Sequence, residues 1–258
     1  FNKGPLDEIV SISSEQELVE TFGKPDSSNF EYFFSAANFL QYSNSLRVVR
    51  ATQTSAVNAS TSGTGVLVKN TEDWQNNYAS GGNAGNADFV AREAGTDGNN
   101  LLVSTCPSAA AFEEEGKTTL NDSSTSVGDT TVTFTSGTGI NVGDIIAFST
   151  TAATNDYDDG EQYRVTGVST NDITFVQHPR GSGGLKRTLT DGCNIRRRWR
   201  YYDAVDGAPG TSAWTSDRSG SGDEIHVVVV DEDGGISGAP GTILETCSKG
   251  SKAPDAKD

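Results

Sequence analysis

The sequence predicts an α+β protein: an α/β core sheet with flanking helices, interrupted by an inserted all-β domain of the small antiparallel barrel or sandwich type. Three observations predict it. Within residues 30–51, Tyr32, Phe33, Ala36, Ala37, Phe39 and Leu40 recur at helical spacing, and Leu46, Val48 and Val49 follow as a short apolar strand. A helix feeding an apolar strand is the usual nucleus of an α/β core. Residues 224–231 (EIHVVVVD) form a near-continuous apolar run, the pattern of a strand covered on both faces. Between them, residues 118–202 alternate short β runs with Gly, Asp and Asn turns and show no helical period. The core is assigned to residues 1–106 and 224–258 as a discontinuous domain, and the β-rich insertion to 107–223.

In chain order, Asn2-Lys3-Gly4-Pro5 is a turn and Ile9-Val10-Ser11-Ile12 an extended run. Ser14 with Glu17 three residues on is a capping-box pattern for a helix whose apolar side is Leu18, Val19 and Phe22. Gly23 and Pro25 stop that helix. Residues 52–65 read as loop, with Val66-Leu67-Val68 a candidate strand. Residues 70–86 are polar and Gly-rich, anchored by Trp74 and Tyr78. Extended segments at 88–92 and 101–105 flank the turn Gly95-Thr96-Asp97-Gly98, and either pair with each other or are separated by a wide loop. In the β-rich part, Thr131-Val132-Thr133-Phe134-Thr135 alternates strictly, Ile145-Ile146-Ala147-Phe148 is apolar, and residues 162–168 face 173–176 across a tight turn. Residues 211–223 read as a polar loop with Trp214, and 242–245 as a partner for the 224–231 strand.

Composition narrows the function. The chain of 258 residues has 35 acidic against 19 basic residues, a net charge of −16. That opposes a bare nucleic-acid surface, because affinity for phosphates rests on cationic neutralisation. It favours solubility among many copies of itself. Three cysteines are odd in number and far apart, which gives no disulfide framework. No run of 18 apolar residues occurs, so no membrane insertion is expected. The absence of Met, the start at Phe1 and the ending SKAPDAKD lead us to expect a fragment.

Catalytic chemistry finds little support. His178 and His226 are not spaced with Cys or acidic residues as a metal set, and His226 reads as a structural histidine in a buried strand. The acidic Asp156-Tyr157-Asp158-Asp159-Gly160-Glu161 lacks the spacing of a calcium loop and reads as a solvated turn. Asp231-Glu232-Asp233-Gly234-Gly235 reads as a hairpin turn. Gly63-Thr64-Gly65 and Gly81-Gly82 lack the following helix start of a phosphate loop. No cofactor, metal or catalytic residue is therefore assigned. The one cationic run, residues 195–202 (IRRRWRYY), places Arg196, Arg198 and Arg200 on one face of a strand and Arg197 and Trp199 on the other. It is read as a salt-bridge face, within the chain or between subunits, in preference to a nucleic-acid patch. Arg47 and Arg50, flanking the strand of the opening unit, are read the same way.

The segment Tyr32-Phe33-Phe34-Ser35-Ala36-Ala37-Asn38-Phe39-Leu40-Gln41-Tyr42, followed by Leu46-Arg47-Val48-Val49-Arg50-Ala51, resembles the tail sheath protein of contractile-tailed bacteriophages of the T-even type. The lead-in through Gly4-Pro5 to Phe22-Gly23-Lys24-Pro25 fits the same family, and residues 89–101 and 224–233 resemble its later segments more weakly. The resemblance implies a structural protein and no enzyme. It implies stacked six-fold rings around a tail tube that contract and drive the tube through the host envelope. The expected partners are further copies of itself, the tail tube protein, and baseplate and tail terminator proteins, in a virion assembled in the host cytoplasm. The β insertion would be the family's protruding, variable domain, and the family's N-terminal arm and C-terminal region would be missing here. A rival reading is a carbohydrate- or surface-binding β module with Trp199, Tyr201, Tyr202 and Trp214 as stacking surfaces.

Overall fold

The computed structural model describes residues 1–61, 65–79 and 87–252. The chain divides into two compact units, the first of residues 1–103 and 229–244, the second of residues 104–228 and 245 onward. Helices and several sheets coexist, as an α+β class requires.

The first unit begins with strand β1 (Ile9–Ile12), helices α1 (Glu15–Phe22) and α2 (Phe30–Leu40), and strand β2 (Leu46–Val49). β1 and β2 pair antiparallel, with Ile9 opposite Val49 and Ile12 opposite Leu46. Ser14 caps α1 by accepting the Glu17 N–H at 3.2 Å. The Glu17 carboxylate reaches one residue beyond the expected partner, to the N–H and hydroxyl of Ser13. Gly23 ends the helix at φ +86°, a conformation that glycine takes without steric cost. Asn29 leads into α2, and Asp26 braces that entry by accepting from Ser28 and Asn29. Ile12, Leu18, Phe22, Phe33, Ala37 and Val48 close into one core cluster. Fully burying Phe22 or Phe33 contributes about 1.5–3 kcal/mol each.

The apolar face of α2 is narrower than its spacing suggests. Phe33 and Ala37 are buried and Ala36 and Leu40 partly so, but Tyr32 is 69% and Phe39 46% exposed. The two-stranded sheet and α1 cover one arc of the helix only. Phe30 and Phe34 on one flank, and Tyr32 and Phe39 on the other, therefore face outward.

Three further elements of this unit depart from expectation. Residues 58–60, read as loop, form strand β3 (Asn58–Ser60). Its anchor is the buried Asn58 side chain, which donates to the carbonyls of Val68 and Ala91 and accepts the Val68 N–H at 2.7 Å. Val66-Leu67-Val68 forms no strand, only a single bridge from Val66 to Asn58. The polar stretch after it contains helix α3 (Thr71–Asn77), capped by Asn70 and stacking Trp74 on Tyr78 with centroids 5.9 Å apart. Strand β4 (Val90–Ala94) pairs with β3. It does not pair with strand β5 (Leu101–Cys106), because the 3-10 turn Asp97–Asn100 redirects the chain instead of closing a hairpin.

The second unit contains helix α4 (Ala109–Phe112) and strands β6 (Glu113–Thr119), β7 (Thr131–Thr133), β8 (Ile145–Ala152), β9 (Gln162–Ser169), β10 (Asp172–His178) and β11 (Cys193–Arg198). The six strands form one sheet in the order β6-β11-β8-β9-β10-β7. The sheet closes on itself. Asn121 N–H donates to the Thr133 carbonyl at 2.9 Å and Thr135 N–H to the Thr119 carbonyl at 2.8 Å, so the ends of β6 and β7 are joined. Of the two expected all-β types, it is a barrel. Its interior is filled by residues that alternate along the strands, among them Phe134, Phe148, Tyr163, Val165, Phe175 and Ile195. Tyr163 meets Phe148 and Phe175 edge to face with centroids 5.7 and 5.0 Å apart, and Phe148 lies tilted to Phe175 at 6.0 Å. The β9–β10 hairpin turns at the expected residues, with Asp172 opposite Ser169.

Residues 211–223, read as loop, contain the short helix α5 (Ala213–Ser216) with Ser212 as its cap. Strands β12 (Glu224–Asp231) and β13 (Thr242–Ser251) follow, and a three-stranded sheet runs in the order β13-β12-β5. The intervening turn is built on Asp231, whose carboxylate accepts from the N–H groups of Gly234, Ile236 and Ser237.

Candidate functional site

Arg50 is heavily engaged within the first unit. Leaving the end of β2, its guanidinium donates to the carbonyls of Phe1 at 3.0 Å, Gly4 at 2.9 Å, Ala94 at 2.6 Å and Asn2 at 3.3 Å. A five-donor fork suits such a set of carbonyls, where a lysine could not reach them all. Next to this clamp, a Cβ on Gly95 would stand 2.2 Å from the Asn2 carbonyl oxygen, so only glycine fits there. Arg47 lies on the outer, exposed face of β2, opposite Ser11.

The arginine run forms strand β11 between β6 and β8. Arg196 and Arg198 share the outer face and meet the same two acids. Arg196 bonds Asp159, with Glu113 at 3.9 Å, and Arg198 bonds Glu113 at 2.7 Å, with Asp159 at 3.4 Å. Tyr157 lies under the Arg196 guanidinium at 4.8 Å and Tyr202 under that of Arg198 at 5.1 Å. The Arg196 hydrogen bond holds the Asp159 carboxyl below the usual carboxylate range. Arg200 does not share this face. The strand ends at Arg198, the Trp199 N–H turns to the Phe112 carbonyl, and Arg200 instead stacks on Tyr201 at 5.2 Å. Arg197 points inward and is buried. It donates to the carbonyls of Ala110 and Ala111 and lies 3.7 Å from Asp144, whose carboxyl is pushed up by burial. Sequence reasoning missed this inward ion pair. Strand alternation did place Arg197 on the face opposite Arg196 and Arg198, but it could not name Asp144, more than 50 residues earlier, as its partner.

The acidic turn at 156–161 is spent on protein contacts. Asp156 accepts from the hydroxyls of Thr150 and Thr154, Asp159 from the two arginines, and Glu161 from Arg187 at 2.7 Å. Among the described residues no cluster of His, Cys, Asp or Glu is arranged to hold a metal ion. His226 is fully buried, with Nε2 on the Gly207 carbonyl at 2.8 Å and Nδ1 accepting the Lys249 N–H at 3.0 Å. That pairing defines the tautomer with the proton on Nε2. Gly63, Thr64, Gly81 and Gly82 lie outside the described residues. The stacking surfaces of the carbohydrate reading are largely withdrawn. Trp199 and Tyr201 are buried, Tyr202 stacks on Arg198, and Trp214 is covered on one side by Arg218 at 4.0 Å.

Residues 1–51 present an outward-facing apolar surface, with Ile9, Phe30, Tyr32, Phe34, Phe39 and Val49 exposed. The same residues match the family model described as Tail sheath protein Gp18 domain III N-terminal region. Two curated relatives match as well. The Tail sheath protein of Enterobacteria phage T4 is 53% identical over 51 residues, 20% of this chain and 8% of the relative. That of Vibrio phage KVP40 is 44% identical over 50 residues, 19% of this chain and 8% of the relative. No solved structure matches significantly. The likeness to tail sheath proteins drawn from residues 30–51 is therefore borne out over the N-terminal segment. The aligned segment spans only 8% of the length of the relatives it matches.

Proposed function

We propose that this chain is a structural subunit of a contractile phage tail sheath, part of the virion tail and without a catalytic role. The carrying observation is the match of residues 1–51 to the tail sheath family model. It is supported by the outward exposure of Ile9, Phe30, Tyr32, Phe34, Phe39 and Val49 within those residues, an apolar surface of the kind that marks contacts with further chain. In this reading subunits stack as six-fold rings around the tail tube, contract, and drive the tube through the host envelope. Contraction draws on a change between two packings of the subunits, so it needs bistable contacts and not a nucleophile or a metal. Residues 1–106 and 224–258 serve as the core, and residues 107–223 as a protruding inserted domain. Partners are further copies, the tail tube protein, and baseplate and terminator proteins, assembled in the host cytoplasm. Negative-stain microscopy of the sheath protein that contains this chain tests the reading: hollow six-fold tubes are expected, and a strict monomer under all assembly conditions refutes it.

A further inference from the structure

Strand β13 runs for 10 residues at the rim of its sheet. In the order β13-β12-β5 it has β12 on one side and, among the described residues, no strand on the other. Residues 243–249 are all exposed, Ile243 and Leu244 included. An open edge of this length is usually blocked by a proline or a very short strand, and residues 242–251 contain no proline. The Lys249 N–H turns inward, to the His226 imidazole of β12 at 3.0 Å. Strand alternation then turns the N–H and C=O groups of Thr246 and Ser248 to the open side. Lys249 itself takes φ +56°, so the regular ladder stops at Ser248. Glu245 and Lys249 flank Cys247 at equal distance, and neither side chain has an ion pair or hydrogen bond among the described residues.

We infer that this edge, over residues 245–249, pairs antiparallel with the same edge of a second copy of this chain, about a two-fold axis at Cys247. In that register Thr246 of each copy exchanges backbone hydrogen bonds with Ser248 of the other. Glu245 of each copy stands across from Lys249 of the other, so the opposite charges meet twice. Centring the pair on Glu245 or on Lys249 would set like charges directly against each other, which disfavours those registers. Charge complementarity thus selects both the occupant and the register. Cys247 falls at a position without ladder hydrogen bonds, where facing Cα atoms approach to about 4.5 Å. A disulfide accepts that separation, so the two thiols can report the contact. A two-fold contact closes on itself and does not build a ring. The inference therefore goes beyond the sheath reading, does not rest on it, and concerns the protein before assembly.

The test uses unpolymerised protein containing this chain, as an equal mixture of ¹⁴N and ¹⁵N forms treated with diamide. Each thiol gives up its proton, the S–S bond forms, and the two electrons and two protons pass to diamide. A mixed-isotope disulfide from Cys247 to Cys247 is expected, because Cys106 and Cys193 are buried. Sedimentation without oxidant should show a dimer. Lys249→Glu sets Glu against Glu at both ends and should weaken that dimer about tenfold. Glu245→Lys sets Lys against Lys and should weaken it as much, although the two variants move the net charge in opposite directions. Both positions are exposed, so the fold is retained. Mixing the two variants restores opposite charges at both ends and should recover the parent's affinity, which a change in net charge or in folding would not do. A strictly monomeric parent overturns the pairing. So does a Cys247 disulfide that forms as fast in Lys249→Glu as in the parent, or a mixture of the two variants that fails to recover.

Discussion

Replacing Arg50 should loosen the N-terminal part of the first unit without disturbing the barrel. Arg50→Ala deletes donors to four carbonyls at 2.6–3.3 Å. Two of those carbonyls belong to the buried residues Gly4 and Ala94. An unsatisfied buried acceptor costs about 1–3 kcal/mol, and water rehydrates the two better-exposed ones, so the expected loss is about 2–4 kcal/mol. Arg50→Lys keeps the charge but not the fork, and about half the loss should remain. Native-state hydrogen exchange resolves the effect by region. The Leu6 and Asp7 amides, bonded to the Lys69 and Arg50 carbonyls, should exchange faster, while the Val165 amide in the barrel should not change. A change below about 0.5 kcal/mol at Leu6 and Asp7, or equal acceleration at Val165, would refute the clamp argument.

Four further outcomes follow from the same geometry. Phe33→Ala, at 1% exposure in the N-terminal cluster, should destabilise that cluster by about 3–5 kcal/mol in urea unfolding. Gly137→Ala should perturb the barrel rim, because the new Cβ would lie 2.0 Å from the Thr170 carbonyl; a melting temperature equal to the parent's would contradict the close approach. The Asp26 carboxyl is lowered to about 2, chiefly by the Ser28 hydroxyl and then by Asn2. A depressed folded pKa means that its contribution is present above the unfolded value near 3.8 and lost as pH falls toward 2, so the α2 entry should loosen between about pH 4 and 2. Asp26→Asn should remove that step from an NMR titration of the Ser28 and Asn29 amides. For the thiols, burial pushes Cys193 up to about 11 and raises Cys106, whereas Cys247 is exposed. Thiol titration at pH 8 should therefore modify one cysteine in the folded chain and three after denaturation.

The local features were legible and the distant pairings were not. Ser14 with Glu17, Gly23 after Phe22, and the alternation at 162–168 and 173–176 act within a few residues, so their pattern is visible in the sequence. Strand β3 has no alternation to show; it exists because Asn58 satisfies Val68 and Ala91 from across the fold. Strand β6 opens with three glutamates and looks like a solvated run until Arg198 arrives opposite Glu113. Helix α3 did leave a signal, Asn70 before Glu72 and Asp73, which a search for caps independent of apolar spacing would have found. Periodicity identified α2 correctly and overstated its buried face, because spacing tells which residues share a side and not how much of that side a two-stranded sheet can cover. The arginine run was legible as a charged face for Arg196 and Arg198; the end of the strand removed Arg200 from it.

The position of β11 in the barrel also bears on the order in which the chain is made. β6, β7, β8, β9 and β10 all precede it in sequence, yet β11 is the strand that lies between β6 and β8. Until residues 193–198 leave the ribosome, β6 and β8 have no partner along the edges they will give to β11, and open edges of that kind invite pairing with other chains. A product truncated before Cys193 therefore keeps every other strand of the sheet and still has a gap in its wall. The three arginines that enter last supply both the missing hydrogen bonds and the cations for Glu113, Asp144 and Asp159. Barrel completion is thus a late, long-range event, set by a single strand more than 70 residues downstream of β6.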